Sequence, residues 1–273
     1  MQRHIKAQPA GGERRRDIVP AGVLQFLEFT LLTLPEGEAY SGATAERECV
    51  LDVFSGMASI EVEGRSSKST FRQVGGRRDV FSGPPCVLYL PPQCVFHVRS
   101  ATPTFHAGLF SAPATRPGQP SLIAGSAVVS KQVGQGCFER MVHTAIGEDL
   151  PAERVLAGET MNAPGCWSSF PPHKHDRHNP PREARLEEVY YFQIQPKNGF
   201  GFIWTYTAAD DAEGFNDVFV VEDGDTVLLP KGYHPVVAAP GCKLHYTWVL
   251  AGEERRYGAW AEDPKYSALK QAC

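Results

Sequence analysis

The sequence predicts an all-β protein made of two barrels or sandwiches. Apolar segments are short and rich in Val, Phe, Tyr and Leu, and they are bounded by Gly, Pro, Asp or Asn, as strands are. They recur at even spacing along the whole chain. The 273 residues exceed what one small core needs and match two domains of ordinary size.

The predicted strands are Val23–Leu34, Cys49–Phe54, Ala58–Val62, Val87–Leu90, Val95–Arg99, Glu187–Ile194, Phe202–Thr207, Asp217–Val221, Thr226–Leu229 and Lys243–Leu250. One helical signal stands out, around Asp263–Gln271. The Pro-, Gly- and Ser-rich stretch 111–125 separates two halves of similar outline, so a link between domains is placed there, with the domains at 1–115 and 116–273. In the first half, Leu90-Pro91-Pro92 follows a strand; in the second, Leu229-Pro230-Lys231-Gly232 does the same, as an internal duplication would leave it.

Composition excludes several classes. Hydrophobic residues at 42% and charged residues at 21% fit a packed globular core. The net charge of −4, with both signs mixed along the chain, leaves no basic stripe for phosphates, so nucleic acid is not an expected partner. No apolar run reaches the roughly 18–20 residues of a membrane span, and residues 1–16 carry no secretion-signal core, so the expected location is cytoplasmic, off the membrane. The Arg14-Arg15-Arg16 run is read as a solvated tail. Seven cysteines form no C-x-x-C pair; they are read as small core residues in a reducing compartment, Cys273 as a tail residue.

The chemistry concentrates in Pro171-Pro172-His173-Lys174-His175-Asp176, followed by Glu187-Glu188 at the head of an apolar run, and in Pro230-Lys231-Gly232-Tyr233-His234. On a strand, period two puts His173 and His175 on one face. Three imidazoles and one carboxylate suit a divalent ion such as Zn, Mn, Fe, Co or Ni, with room for substrate or water. Glu187 and Glu188 point to opposite faces, so only one joins the histidines. His178 is expected to be solvated, and His245 to be a hydrogen-bonded barrel residue. The first half has no H-x-H, and Val95 stands about where His234 would fall, so that half is expected to be metal-free. Its His97 and His106 are read as packing or hydrogen-bonding residues.

This two-part arrangement resembles the cupin superfamily, in which a first motif supplies H-x-H and Glu and a second supplies a His after a Pro-Gly turn. Here the gap from His175 to the glutamates is longer than usual, and residues 177–185 are expected to loop out over the site; His234 follows Gly232 by one residue fewer. At finer detail the segments 166–176, 186–191, 199–202 and 223–235 resemble the bicupin sugar-acid isomerases of myo-inositol catabolism. These are related to the uronate ketol-isomerase of pectin breakdown. Aligning the Glu-Val-Tyr of that enzyme with Glu188-Val189-Tyr190 selects Glu188 as the fourth ligand beside His173, His175 and His234. The segments 203–206 and 245–248 depart from the family's usual residues.

The resemblance implies a bicupin of jelly-roll type, a divalent ion with zinc foremost, and interconversion of an aldose and a ketose sugar acid without an organic cofactor. Glu187 or a metal-bound hydroxide is then the candidate base, and Tyr206 a further catalytic hydroxyl. Arg140, Lys174 and Arg182 are candidates for the substrate carboxylate, and Tyr233 for its hydroxyls. A metal-dependent cupin dioxygenase, a uronate ketol-isomerase and a sugar-binding storage bicupin are the rival readings. Sheet edges of this fold pair readily, so a homo-oligomer is expected.

Overall fold

Strand formation follows the alternation written in the sequence. In Met57–Glu63, Ala58, Ile60 and Val62 face inward while Glu61 and Glu63 face solvent; Leu186–Gln195 and Lys243–Gly252 are buried on both faces and carry continuous apolar and aromatic runs. The structure, a computed structural model, describes residues 1–8, 11–65 and 68–272, and its regular segments are almost all strands. Among the described residues no helix is long and apolar enough to cross a membrane.

The chain forms two compact units. One holds Pro9–Val129 and His143–Gly158; the other holds Met1–Gln8, Ser130–Val142 and Glu159–Cys273. This differs from a single link at 111–125. Thr104–Pro113 is a continuous strand, and Ser121–Ile123 pairs with Cys86–Leu90 in the first unit. The Pro- and Gly-rich residues between them mark a loop within one sheet rather than a border.

In the first unit a six-stranded sheet runs in the order Ser121–Ile123, Cys86–Leu90, Arg47–Ser55, Thr104–Pro113, Glu28–Pro35, Arg15–Val19. A four-stranded sheet runs Ala39–Ala43, Val95–Ser100, Met57–Glu63, Lys68–Gly75. Leu51, Val53, Leu88 and Phe105 from the first sheet pack with Ile60, Val62, Phe96 and Val98 from the second in one apolar cluster. Each such side chain contributes about 1.5–3 kcal/mol on burial. Buried Glu48 ties residues 153–155 to this unit: its Oε1 accepts the N–H groups of Arg154 and Val155, and its Oε2 those of Glu153 and the Tyr89 hydroxyl.

Three expectations change here. The Arg14–Arg16 run is no free tail: Arg15–Val19 pairs with Glu28–Pro35, Arg14 pairs with Glu38 and Arg15 with Asp17. The strand foreseen from Val23 begins at Glu28, because residues 20–27 turn to bury Leu24 and Leu27. Val95 points outward at 43% exposed, and Cys94 and Phe96 fill the interior instead. His97 hydrogen-bonds Ser41, and His106 meets the edge of Phe54.

A seven-stranded sheet runs His4–Ile5, Thr226–Leu229, Leu186–Gln195, Lys243–Gly252, then Val155–Asn162, Arg140–Ile146 and Val129–Val133, and its first four strands belong to the second unit. A four-stranded sheet runs Trp167–Ser168, Val236–Ala238, Phe200–Tyr206, Asn216–Glu222, and a ribbon joins His173–Lys174 to Ala261–Glu262. The first residues of the chain thus belong to the later barrel, with His4 opposite Val227. Buried Asp225 fixes them: it accepts the Ala7 N–H, His4 Nε2 and Lys6 Nζ, together with the Glu222 N–H. The helical signal near the end is a 3-10 helix, Pro264–Ala272. Cys49, Cys86, Cys94, Cys166 and Cys242 are buried, Cys137 is exposed, contrary to its reading as core, and Cys273 lies outside the described residues.

Candidate metal centre

Three local devices bring the histidines and the glutamate together. The His173–Lys174 strand ends at His175, whose carbonyl accepts the Leu186 N–H at 2.8 Å while its Nδ1 faces the Leu186 carbonyl at 2.9 Å. That exchange locks His175 to the start of the strand carrying Glu188. His234 stands in the turn after Thr226–Leu229, where Gly232 takes a φ of +92° and packs so closely that a Cβ would lie 2.5 Å from the Tyr206 carbonyl. The Gly232 carbonyl then meets His234 Nδ1 at 2.9 Å.

The ligand atoms of His175, Glu188 and His234 lie within 4.8 Å of one another, and all three residues are buried. Glu188 Oε2 is 3.2 Å from His175 Nε2 and 3.5 Å from His234 Nε2. His173 flanks this trio rather than joining it: its ring centroid is 5.0 Å from that of His234 and 6.4 Å from that of His175. Among the described residues no second group of this kind is found, and the first unit contributes none.

With both Nδ1 atoms against backbone carbonyls, both Nε2 atoms are turned toward one carboxylate oxygen. His234 Nε2 is buried and has no hydrogen-bond partner among the described residues. Three electron-rich atoms converging in a buried space need a proton or a cation between them. Burial, then the charges of His173 and His175, holds His234 well below the usual imidazole range. Burial, then His175 and Arg140, also pushes His173 down. His175 goes up despite burial, because the hydrogen bond and charge of Glu188 outweigh it, and burial raises Glu188 itself. Two nitrogens and one oxygen with fixed orientation fit a divalent first-row ion.

A charged network holds this geometry from behind. Lys174, foreseen as a substrate contact, is buried and donates to Asp176 Oδ1 at 2.5 Å and Glu183 Oε1 at 2.7 Å. On a strand it faces away from its histidine neighbours, and a buried ammonium takes carboxylates as partners. Asp176 Oδ2 accepts the Gly232 N–H at 2.8 Å, which joins the H-x-H segment to the turn carrying His234. Glu183 also accepts the N–H groups of Asp176 and Arg177, so the segment 177–185 is anchored at its root. Neither carboxylate was foreseen, because their partners depend on how the insertion folds.

The other foreseen residues fare differently. Glu187 lies on the alternate pleat from Glu188, opposite Ala251, and outside the trio. Tyr206 donates its hydroxyl to Asp263 Oδ2 at 2.8 Å and its ring stacks on those of Trp204 and Tyr233. Buried Tyr233 pairs backbone to backbone with Tyr206, and burial followed by Asp263 pushes its hydroxyl up to about 12. Arg182 is exposed on the insertion. Arg140 lies within electrostatic reach of His173, and its guanidinium donates to the Phe138 carbonyl at 3.0 Å. His178 is exposed beside Glu254, and His245 is buried 3.2 Å from Glu159. Sequence reasoning missed Trp260, whose ring stacks on His173 at 4.9 Å.

An all-β chain of two barrel-like units, one of them enclosing a His, Glu, His donor set, defines a bicupin with a metal-type centre. The chain belongs to the KduI/IolB family, which it matches over residues 5–269. It is 36% identical over 249 residues to the 5-deoxy-glucuronate isomerase of Geobacillus thermodenitrificans, covering 91% of this chain and 88% of that one. The crystal structure of an IolB-like protein from Salmonella typhimurium superposes with a TM-score of 0.86 at 30% identity, over 93% of this chain and 94% of that one. The oxalate decarboxylase of Lactobacillus farciminis shares the fold, with a TM-score of 0.66 at 10% identity over 93% and 85% of the two chains.

Proposed function

We propose that this chain is a metal-dependent isomerase that interconverts the aldose 5-deoxy-D-glucuronate and the ketose 5-dehydro-2-deoxy-D-gluconate, a step of myo-inositol catabolism. The relatives' shared activity supports the reaction class. The observation that supports a metal is the convergence of two Nε2 atoms and one carboxylate oxygen, with His234 Nε2 lacking a hydrogen-bond partner among the described residues. His175, Glu188 and His234 are the ligands, with His173 poised as the fourth, and zinc stands first among the ions that suit them.

When bound, the ion supplies Lewis-acid polarisation of neighbouring carbonyl and hydroxyl oxygens. The chain does the rest. The carbonyls of Leu186 and Gly232 hold both imidazoles in the Nε2-facing tautomer. Arg140 holds the substrate carboxylate, since a guanidinium binds it through two parallel hydrogen bonds and no carboxylate of the described residues pairs with Arg140. The buried setting of the trio limits water at the reacting carbons.

The test is elemental analysis of protein purified without chelators, together with NMR of 5-deoxy-D-glucuronate turnover. Near-stoichiometric metal and ketose formation, both lost in a His173→Ala/His234→Ala double variant, support the proposal. Metal without turnover moves the function to another cupin chemistry, and protein without metal overturns the role given to the trio.

A further inference from the structure

Beside the trio stands an aromatic corner that metal binding does not explain. The Trp260 ring lies over His173 with planes 29° apart, and Tyr257 meets Trp260 edge-on, with centroids 6.0 Å apart and planes at 90°. Trp260 is 37% exposed and Tyr257 41%, although large aromatic rings gain by being covered. Tyr257 also stacks on buried Trp248, 5.6 Å away, which lies opposite Tyr190 on the strand beside the one carrying Glu188.

The corner is built rather than incidental. Ala261–Glu262 pairs with His173–Lys174, the Ala184 N–H donates to the Ala259 carbonyl, and the Asp263 N–H donates to the Pro172 carbonyl. Gly258, at a φ of +86°, turns the chain between the two rings. Trp260 is therefore fixed one ring beyond the cluster, 4.9 Å from His173, which is itself 5.0 Å from His234.

We infer that Trp260 and Tyr257 determine specificity by receiving the deoxygenated, methylene side of a sugar acid; this rests on the function proposed above. In an open-chain 5-deoxy uronate the reacting carbonyl carbon and the methylene are four C–C bonds apart, about 5 Å at roughly 1.5 Å per bond. With the reacting end at the trio, the methylene extends toward the aromatic corner, whose Trp260 ring stands 4.9 Å from His173. Ring faces pack against C–H groups and offer no partner to a hydroxyl, so a 5-hydroxyl placed there loses its water without replacement. An apolar wall of this kind separates two such substrates by about ten- to a hundred-fold. The carboxylate, one bond beyond the methylene, is left to Arg140 as in the function proposed above.

The test compares wild type with Trp260→Gln, Tyr257→Gln and Trp260→Phe. For each, metal content is measured by elemental analysis, kcat/KM with 5-deoxy-D-glucuronate, and inhibition by D-glucuronate, which has the 5-hydroxyl. The change in preference between proteins is the readout, because ring closure of D-glucuronate through that hydroxyl is common to all of them. Both glutamine variants are expected to narrow the preference about tenfold with metal retained, and Trp260→Phe to keep it. Unchanged preference in both glutamine variants, with wild type active, overturns the inference and leaves the proposed function standing. Metal loss in Trp260→Gln assigns that ring to holding His173 and overturns its contact with substrate; Tyr257→Gln, whose ring packs on Trp248 and Trp260, then decides for the corner. Absence of wild-type turnover overturns the proposed function, and this inference with it.

Discussion

The two units enclose very different interiors with the same kind of sheet. In the first, Leu51, Val53, Ile60, Leu88, Phe96 and Phe105 close the space with hydrocarbon. In the second, the inward positions carry Glu188, His175 and His234, with Ser168 receiving hydrogen bonds from Asn162 and Tyr246 and with Ser169 beside Tyr190. The turn after the strand is kept in both. Gln93 and Gly232 each take a positive φ, 65° and 92°, three residues beyond Leu90 and Leu229. A backbone can therefore hold a ligand turn without using it; chemistry begins only where the next inward side chain is an imidazole. A filled interior avoids the desolvation cost of polar groups, whereas the second accepts that cost and leaves His234 Nε2 with no hydrogen-bond partner among the described residues.

The largest effect is expected where the second interior is made like the first. Glu188→Gln keeps size and removes the charge between two imidazoles; turnover should fall on the order of 10³-fold, the upper range for loss of one charge-stabilising group. NMR turnover and metal content check this, and a variant that keeps both shows the carboxylate to be dispensable. Lys174→Met comes next. It leaves buried Glu183 and half-buried Asp176 without their cation and should cost about 3 kcal/mol, read by urea denaturation of metal-stripped protein. If the loss is seen only with metal present, the network serves binding rather than folding.

The first unit supplies the counter-case. Glu48→Gln should cost about 2 kcal/mol, because hydrogen bonds to a charged acceptor are weakened, while turnover per folded molecule stays at the wild-type level. A fall in turnover per folded molecule would mean that the two interiors are not independent in function.

The smallest effect concerns acid. Burial raises the Asp225 carboxyl, and hydrogen bonds from His4, the Ala7 and Glu222 N–H groups and Lys6 more than offset it, so it sits below the ordinary range. Its stabilisation is thus complete above the unfolded value of about 3.9 and is lost as pH falls through the lower folded value. Hydrogen exchange of residues 4–7, corrected for the intrinsic rate, should lose protection only in strong acid, and Asp225→Asn should remove that dependence. Loss of protection already at pH 5 would contradict it.

Legibility in the sequence tracked the range of the interaction. His173-Lys174-His175 and Gly232-Tyr233-His234 are local patterns whose spacing carries their geometry, and period two set Glu188 against Glu187. Strand interiors such as Thr226–Leu229 were equally plain. The duty of Lys174 was hidden because it depends on Glu183, a loop residue whose three acceptances arise only once the insertion has folded. Trp260 was hidden because it reaches His173 through ribbon pairing from a distant part of the chain. His4–Ile5 is too short to show any period, so its place in the second sheet left no trace.

That short strand has a consequence for biosynthesis. His4 is made about 220 residues before its partner Val227, and at ribosomal rates of roughly 5–20 residues per second the interval is on the order of ten to forty seconds. During that time the nascent chain carries an unpaired segment whose seat does not yet exist, while the residues that follow it can already close the first apolar interior up to Ile123. Completion of the second barrel must therefore join a segment made early to strands made some 220 residues later, so a bulky fusion ahead of His4 bears on the ligand-bearing barrel before it bears on its neighbour in sequence.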